Sequence, residues 1–184
     1  MTVQIGDTAR SFNDPTGLLS DCHRRIEMFM RSLGAVANTL DSPPTEESRR
    51  ALETALRYFR EAAPKHTADE EESLFPRLRA VHSPEVDAAF SNLDQLEDDH
   101  RWAETLHAQV ETLGLEYLSR GELTHARIED FRSSVAQLST MYERHIAVED
   151  GLLFPLAERT LSDAEKREIA GEMASRRAVP LVQL

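Results

Sequence analysis

Through most of the chain, apolar residues recur at the steps of three, four and seven that mark one face of an amphipathic helix. In one segment Leu52, Ala55, Phe59, Ala62, His66, Glu70 and Leu74 share a face. In a later one Phe131, Leu138, Met141, Tyr142, His145, Glu149, Leu152 and Leu156 do the same. Both stripes carry a histidine and a glutamate among their apolar members. Met28, Met30 and Met141 are read as core.

Breaks divide the pattern. Asn13-Asp14-Pro15 offers an N-cap with proline at the first helical position. Turns follow at Asp41-Ser42-Pro43-Pro44, His82-Ser83-Pro84 and Ser119-Arg120-Gly121. The spacing predicts helices over about 15–41, 45–80, 84–119 and 123–160, with Pro64 bending the second just before His66. Ser162-Asp163-Ala164-Glu165 reads as a capping box opening a short fifth helix to about Arg177. Long helices with short connections imply an all-α, antiparallel, up-down-up-down four-helix bundle over 15–177. Residues 1–14 are then an N-terminal extension and 178–184 a C-terminal tail.

The chain repeats itself. Asp21-Cys22-His23-Arg24 matches Asp98-Asp99-His100-Arg101 at an offset of 77, and His66…Glu70…Leu74-Phe75-Pro76 matches His145…Glu149…Leu153-Phe154-Pro155 at an offset of 79. Each half is one helical hairpin with one histidine per helix. At 1.5 Å per residue, each of the four histidines lies roughly 24–32 Å of helix from its turns, so antiparallel packing brings all four to one level.

Composition narrows the picture. The 184 residues fit one domain, 40% hydrophobic and 29% charged, an ordinary globular mix. A formal net charge of −12 disfavours nucleic acid and anionic membranes as partners. Cys22 is the only cysteine, which excludes an intrachain disulfide and a thiolate cluster. No secretory signal or membrane-length apolar run is evident, so a cytoplasmic protein is expected.

Four imidazoles and two or more carboxylates on inward faces need partners, because buried unpaired polar groups cost roughly 1–3 kcal/mol each. Cations are the natural ones. This donor set suits iron, manganese or zinc and exceeds the four ligands of a single tetrahedral zinc. Shared between two metals, it gives each ion two histidines, with both carboxylates and an oxo or hydroxo group as bridges and a position open to a small ligand. A helical His and Glu at i and i+4 project side by side and can reach one ion. That spacing alone decides little, since six of the seven histidines have Glu at +4. The repeated flanks and the common level single out the set.

The order His … His-x-x-x-Glu … His … His-x-x-x-Glu, with Leu-Phe-Pro after both glutamates, resembles the hemerythrin-like HHE cation-binding family over about Pro15–Arg177. The resemblance implies a carboxylate- and oxo- or hydroxo-bridged pair of iron ions that meets dioxygen, nitric oxide or peroxide. His23, His66, His100 and His145 would be terminal ligands, and Glu70 and Glu149 the bridging carboxylates. Glu27 and Glu104 are possible additional ligands. The oxygen-carrying members have a histidine where this chain has Glu104. Two alternatives stand beside this reading, a non-enzymatic iron-, oxygen- or redox-sensing module and a structural zinc or manganese bundle. Among the rest, His107 is assigned to the core or a second layer and His82 and His125 to the surface. Glu71, Glu72, Asp21 and Asp98 are read as solvated acids, Cys22 as a small packing residue, and Tyr58 and Tyr142 as packing residues on the ligand stripes.

Overall fold

A computed structural model describes residues 14–179, and among them every regular element is helical. The N-terminal extension, apart from Asp14, and the tail beyond Val179 lie outside the described residues. The elements in order are α1 (Pro15–Ala37), α2 (Glu46–Glu61), α3 (Ala63–Ala68), π1 (Asp69–Leu74), α4 (Phe75–Ala80), α5 (Pro84–Arg120), α6 (His125–Val148), π2 (Glu149–Leu153), α7 (Phe154–Thr160) and α8 (Asp163–Arg176). Among the described residues no helix is long and apolar enough to cross a membrane.

The starts and stops follow side-chain chemistry. Asp14 accepts a hydrogen bond from the Gly17 N–H at 2.9 Å, Thr45 from Ser48 at 3.1 Å and Ser83 from Val86 at 3.2 Å. Each satisfies a donor that the first helical turn leaves free. Ser162 and Glu165 form the expected capping box. Gly121 ends α5 with φ +78°, a left-handed conformation that costs a side chain with a Cβ more, and its N–H returns to Tyr117 C=O at 2.9 Å.

The expected second helix is not continuous. It breaks at Ala62, two residues before Pro64, and then widens into π1. The fourth helix widens at the equivalent place into π2. In both, the phenylalanine N–H reaches back five residues, Phe75 to Glu70 C=O and Phe154 to Glu149 C=O. Pro76 and Pro155 follow at once. Proline has no N–H to give the carbonyl four residues earlier and its ring crowds that carbonyl, so the wider turn accommodates it.

The extra residue changes which side chain faces inward. Leu152, expected on the core face, is 40% exposed, and Leu153 is fully buried instead. Met28 is likewise exposed rather than core, because only Ile26 and Met30 of that turn face the bundle; Met30 and Met141 are buried.

α1 and α5 each pack against both α2 and α6, which closes a four-membered ring, and α8 lies across α1 and π1. The core falls into two parts. One holds Ile26–Leu33 of α1, Leu52–Phe59 of α2, Ala103–Tyr117 of α5 and Ile128–Met141 of α6. The other holds Leu19, Leu74–Leu78, Val86–Leu96 and Leu153–Leu161. Along every long helix, the residues between the two parts are the histidines and glutamates of the repeat. At the edge of that layer the buried Asp69 carboxylate takes hydrogen bonds from Arg176 at 3.0 Å and from Arg177, the residue just after α8, at 2.6 Å.

Candidate metal centre

His23, His66, His145, Glu70 and Glu149 are buried, and His100 is nearly so. They form two overlapping groups, His23–His66–Glu70–Glu149 and Glu70–His100–His145–Glu149. Within each, one donor atom per residue lies within 4.8 Å of all the others. That is close to the roughly 4.2 Å separating opposite ligands about 2.1 Å from one ion. The glutamates belong to both groups. Glu70 Oε1 is 3.3 Å from His66 Nε2 while its Oε2 is 3.4 Å from His100 Nε2. Glu149 Oε2 lies 3.1 Å from both His23 Nε2 and His145 Nε2.

The donor chemistry fits cations at this place. Both oxygens of Glu70 and of Glu149, and His23 Nε2, are buried without a properly directed hydrogen bond. His100 Nε2 and His145 Nε2 face one another at 3.1 Å. Two carboxylates converging in a dry layer draw positive charge. Burial alone would depress the His23 imidazolium, yet Asp150, Glu149 and Glu70 push it up to about 12. Against the same burial penalty, Glu70 and Glu71 push His100 up to about 10. Burial would raise the glutamates, but the histidines around Glu70 hold it well below the carboxylate range, and Glu149 is lowered too despite its repulsion by Glu70. The layer favours charge of both signs, and metal ions supply the positive part without protonating the ligands.

Outer partners orient two of the rings. His23 Nδ1 is 3.1 Å from Asp150 Oδ1, and Asp150 also accepts from Ser20 at 2.7 Å. His100 Nδ1 is 2.7 Å from Glu71 Oε1. His145 Nδ1 makes no hydrogen bond: the buried Asp99 lies 3.5 Å away and its carboxylate is taken up by Arg144 and Gln95. A carboxylate on the second ring nitrogen sets the tautomer and leaves Nε2 as the donor. Glu71 is therefore a partner of His100 rather than a solvated acid, and Asp150 plays the same part for His23. The repeat held the signal. Glu71 and Asp150 each follow a layer glutamate, and Asp99 and Cys22 each precede a layer histidine. Cys22 thus occupies the place of Asp99 in the first hairpin, buried beside His66 and accepting from Arg25 at 3.1 Å.

The other candidates lie elsewhere. Glu27 and Glu104 are exposed and belong to neither group: α1 and α5 are rotated so that His23 and His100 face the layer while the residue four on, about 40° further round a regular helix, does not; Glu27 pairs with Arg31. His82 and His125 are exposed. His107 is set back along α5, its ring stacked on Phe59 at 4.1 Å and its Nε2 2.9 Å from Tyr142 Oη. Tyr58 stacks on Phe29 at 4.4 Å. A cavity of about 380 Å3, walled by residues of α1, α2, α3, α5 and α6, opens against the four histidines and takes in the space between them.

Among the described residues every regular element is helical and the bundle buries a His/Glu layer able to hold cations; the chain belongs to the hemerythrin HHE cation-binding domain family, whose model matches residues 14–169. A protein of Haemophilus influenzae, described only as uncharacterized, is 30% identical over 171 residues, covering 92% of this chain and 93% of the relative.

Proposed function

We propose that this chain is a non-haem di-iron protein that binds, or reacts with, a small molecule of the dioxygen, nitric oxide or peroxide class. The observation that carries this reading is the pair of donor groups sharing both Glu70 and Glu149. On this reading His23 and His66 would hold one ion and His100 and His145 the other, with Glu70 and Glu149, which belong to both donor groups, shared between them. Iron bound there would supply redox-active, Lewis-acidic centres with room for an exogenous ligand. The chain's own part is to hold geometry and charge. Asp150 and Glu71 fix two of the imidazoles, the two carboxylates would balance part of the metal charge, and apolar cores flank the layer on either side.

The four long helical segments run up-down-up-down on this reading. Contacts between Tyr117 and Ser42 and between Arg49 and Leu118 at one end, with Arg79–Glu97 and Glu85–Arg159 at the other, support it. The domain then spans 15–177. The reading also puts the chain in the cytoplasm, away from nucleic acid and membranes, and the net charge of −12 supports the latter two.

Protein isolated without added metal is expected to contain two iron ions per chain and to absorb in the near ultraviolet through ligand-to-iron charge transfer. Glu70→Ala and Glu149→Ala should each abolish the band. Two zinc ions and no iron would overturn the redox reading, and an unchanged band at full occupancy in both variants would remove the carboxylates.

A further inference from the structure

The two π segments are alike in shape but not in support. π2 continues the unbroken 24-residue α6, whereas π1 lies between two helices of six residues each, α3 and α4, shortly after the break at Ala62. A helix that short is marginal by itself, because nucleation costs more than so few hydrogen bonds return. Support for Glu70 has to come from outside its own segment.

It comes from the end of α8. Asp69, the fully buried neighbour of Glu70, accepts from Arg176 Nη1 at 3.0 Å and from Arg177 Nη2 at 2.6 Å. Arg176 also donates to Ser73 Oγ at 2.9 Å and to Glu72 Oε2 at 3.0 Å. A guanidinium presents its donors in a rigid plane, so one bonded to three residues of a turn fixes their angle as well as their distance. Arg77, just past π1, donates to the Ser73 C=O at 2.8 Å and to Glu172 of α8 at 2.8 Å. Arg177 lies against Cys22 too, the residue before His23. Asp69, Glu72 and Ser73 thus face the clasp, while Glu70 turns to the layer and Glu71 to His100.

The other hairpin shows that a wide turn does not need this cluster in order to fold. The offset of 79 equates Asp69, Glu72 and Ser73 with Val148, Gly151 and Leu152, none of which has a polar side chain. Buried ion clusters also add little stability, since apolar groups of similar volume often replace them at no loss. Direction is what the cluster can add, at the π segment whose flanking helices are too short to set it. Arg176 and Arg177 lie beyond residues 14–169, so the clasp comes from outside the stretch that the family model matches.

We propose that Arg176 and Arg177 are positioning residues for the metal centre: through Asp69 they hold π1 at the angle that sends Glu70 into both donor groups, so that docking of the α8 end and metal binding strengthen one another. This rests on the reading above in taking Glu70 as a ligand, and it holds whichever metal is bound.

The test strips the whole chain of metal and titrates it with zinc ion, and anaerobically with ferrous ion, against a chromophoric chelator. Asp69→Val, Arg176→Leu and Arg177→Met combined replace the cluster by apolar groups. This triple variant should bind both ions roughly 10- to 100-fold more weakly, with the metal-free thermal midpoint equal or higher. A merely structural clasp would lower the midpoint and spare the affinity. Arg176→Lys with Arg177→Lys keeps the charge but loses the planar donors, and should fall between wild type and the triple variant. Because coupling is reciprocal, zinc should slow amide exchange over 173–177 in the wild type by about the factor that the triple variant loses in affinity. Wild-type affinity in the triple variant, beside a weakened Glu70→Ala, would overturn the proposal and leave the metal centre standing. Wild-type affinity in Glu70→Ala would overturn both. Should the triple variant not fold, unchanged exchange over 173–177 on adding zinc, or wild-type affinity in the double lysine variant, overturns the proposal by itself.

Discussion

His107 should make the protein sensitive to mild acid in a way that one substitution removes. Its ring is stacked on Phe59 and hydrogen-bonded to Tyr142, with no carboxylate beside it, and burial holds it at about 4 against 6.5 when free. The folded chain therefore favours the neutral ring. Between those two values the unfolded chain binds the extra proton, so stability rises with pH and is lost as pH falls through this window. The limiting loss is about 3 kcal/mol, of which about 2 kcal/mol is reached by pH 5. His107→Phe keeps the stack on Phe59 and cannot titrate. It leaves the Tyr142 hydroxyl without its partner, an offset of roughly 1–3 kcal/mol that does not change with pH, because that hydroxyl stays protonated throughout. Urea unfolding of both proteins from pH 7.5 to 5, at matched metal content, isolates the effect. Wild-type stability relative to the variant should fall by about 2 kcal/mol across that range. Two curves parallel to within about 0.5 kcal/mol would refute the burial argument.

Two further outcomes follow from the layer's surroundings. Glu71→Gln and Asp150→Asn should each weaken metal binding roughly 10- to 100-fold in competition with a chromophoric chelator while the helical content is unchanged; unaltered affinity in both would remove them as orienting partners. Pro76→Ala combined with Pro155→Ala restores an N–H that can bond to the carbonyl four residues back, and so should draw both π segments toward α-helix and turn the two glutamates away. Bound metal should then drop below two ions per chain with thermal stability equal or higher, and full occupancy would count against the π segments as the device that aims the carboxylates.

Much of the bundle and its polar layer could be read from residues alone, because each signal was local or repeated. Caps at Asp14, Ser83 and Ser162, the stop at Gly121 and the three- and four-residue apolar steps depend on neighbours within a turn or two. The twin His and Glu segments announced a shared layer, since two like hairpins folded together must bring their equivalent positions face to face. The outward course of Glu27 and Glu104 was harder to see, because an i+4 glutamate sits beside its histidine on the helix whether or not the bundle turns it inward. Leu152 was misplaced because helical periodicity assumes a uniform turn, and the proline-bound π segment adds a residue to it.

What belonged to the tertiary structure alone was every relation between helices. Glu71 reaching His100, Asp150 reaching His23 and Asp99 near His145 are contacts 29, 127 and 46 residues apart in sequence, set by the rotation of each helix about its axis. The cavity belongs to the same category. Leu56, Phe59, Ala103 and Ile146 are ordinary core residues taken singly, and only the packing of their helices leaves a space among them. Local sequence specifies which side chains a helix offers; the angle and depth at which helices meet depend on the summed packing of the whole core, and that sum is what decides which atoms touch.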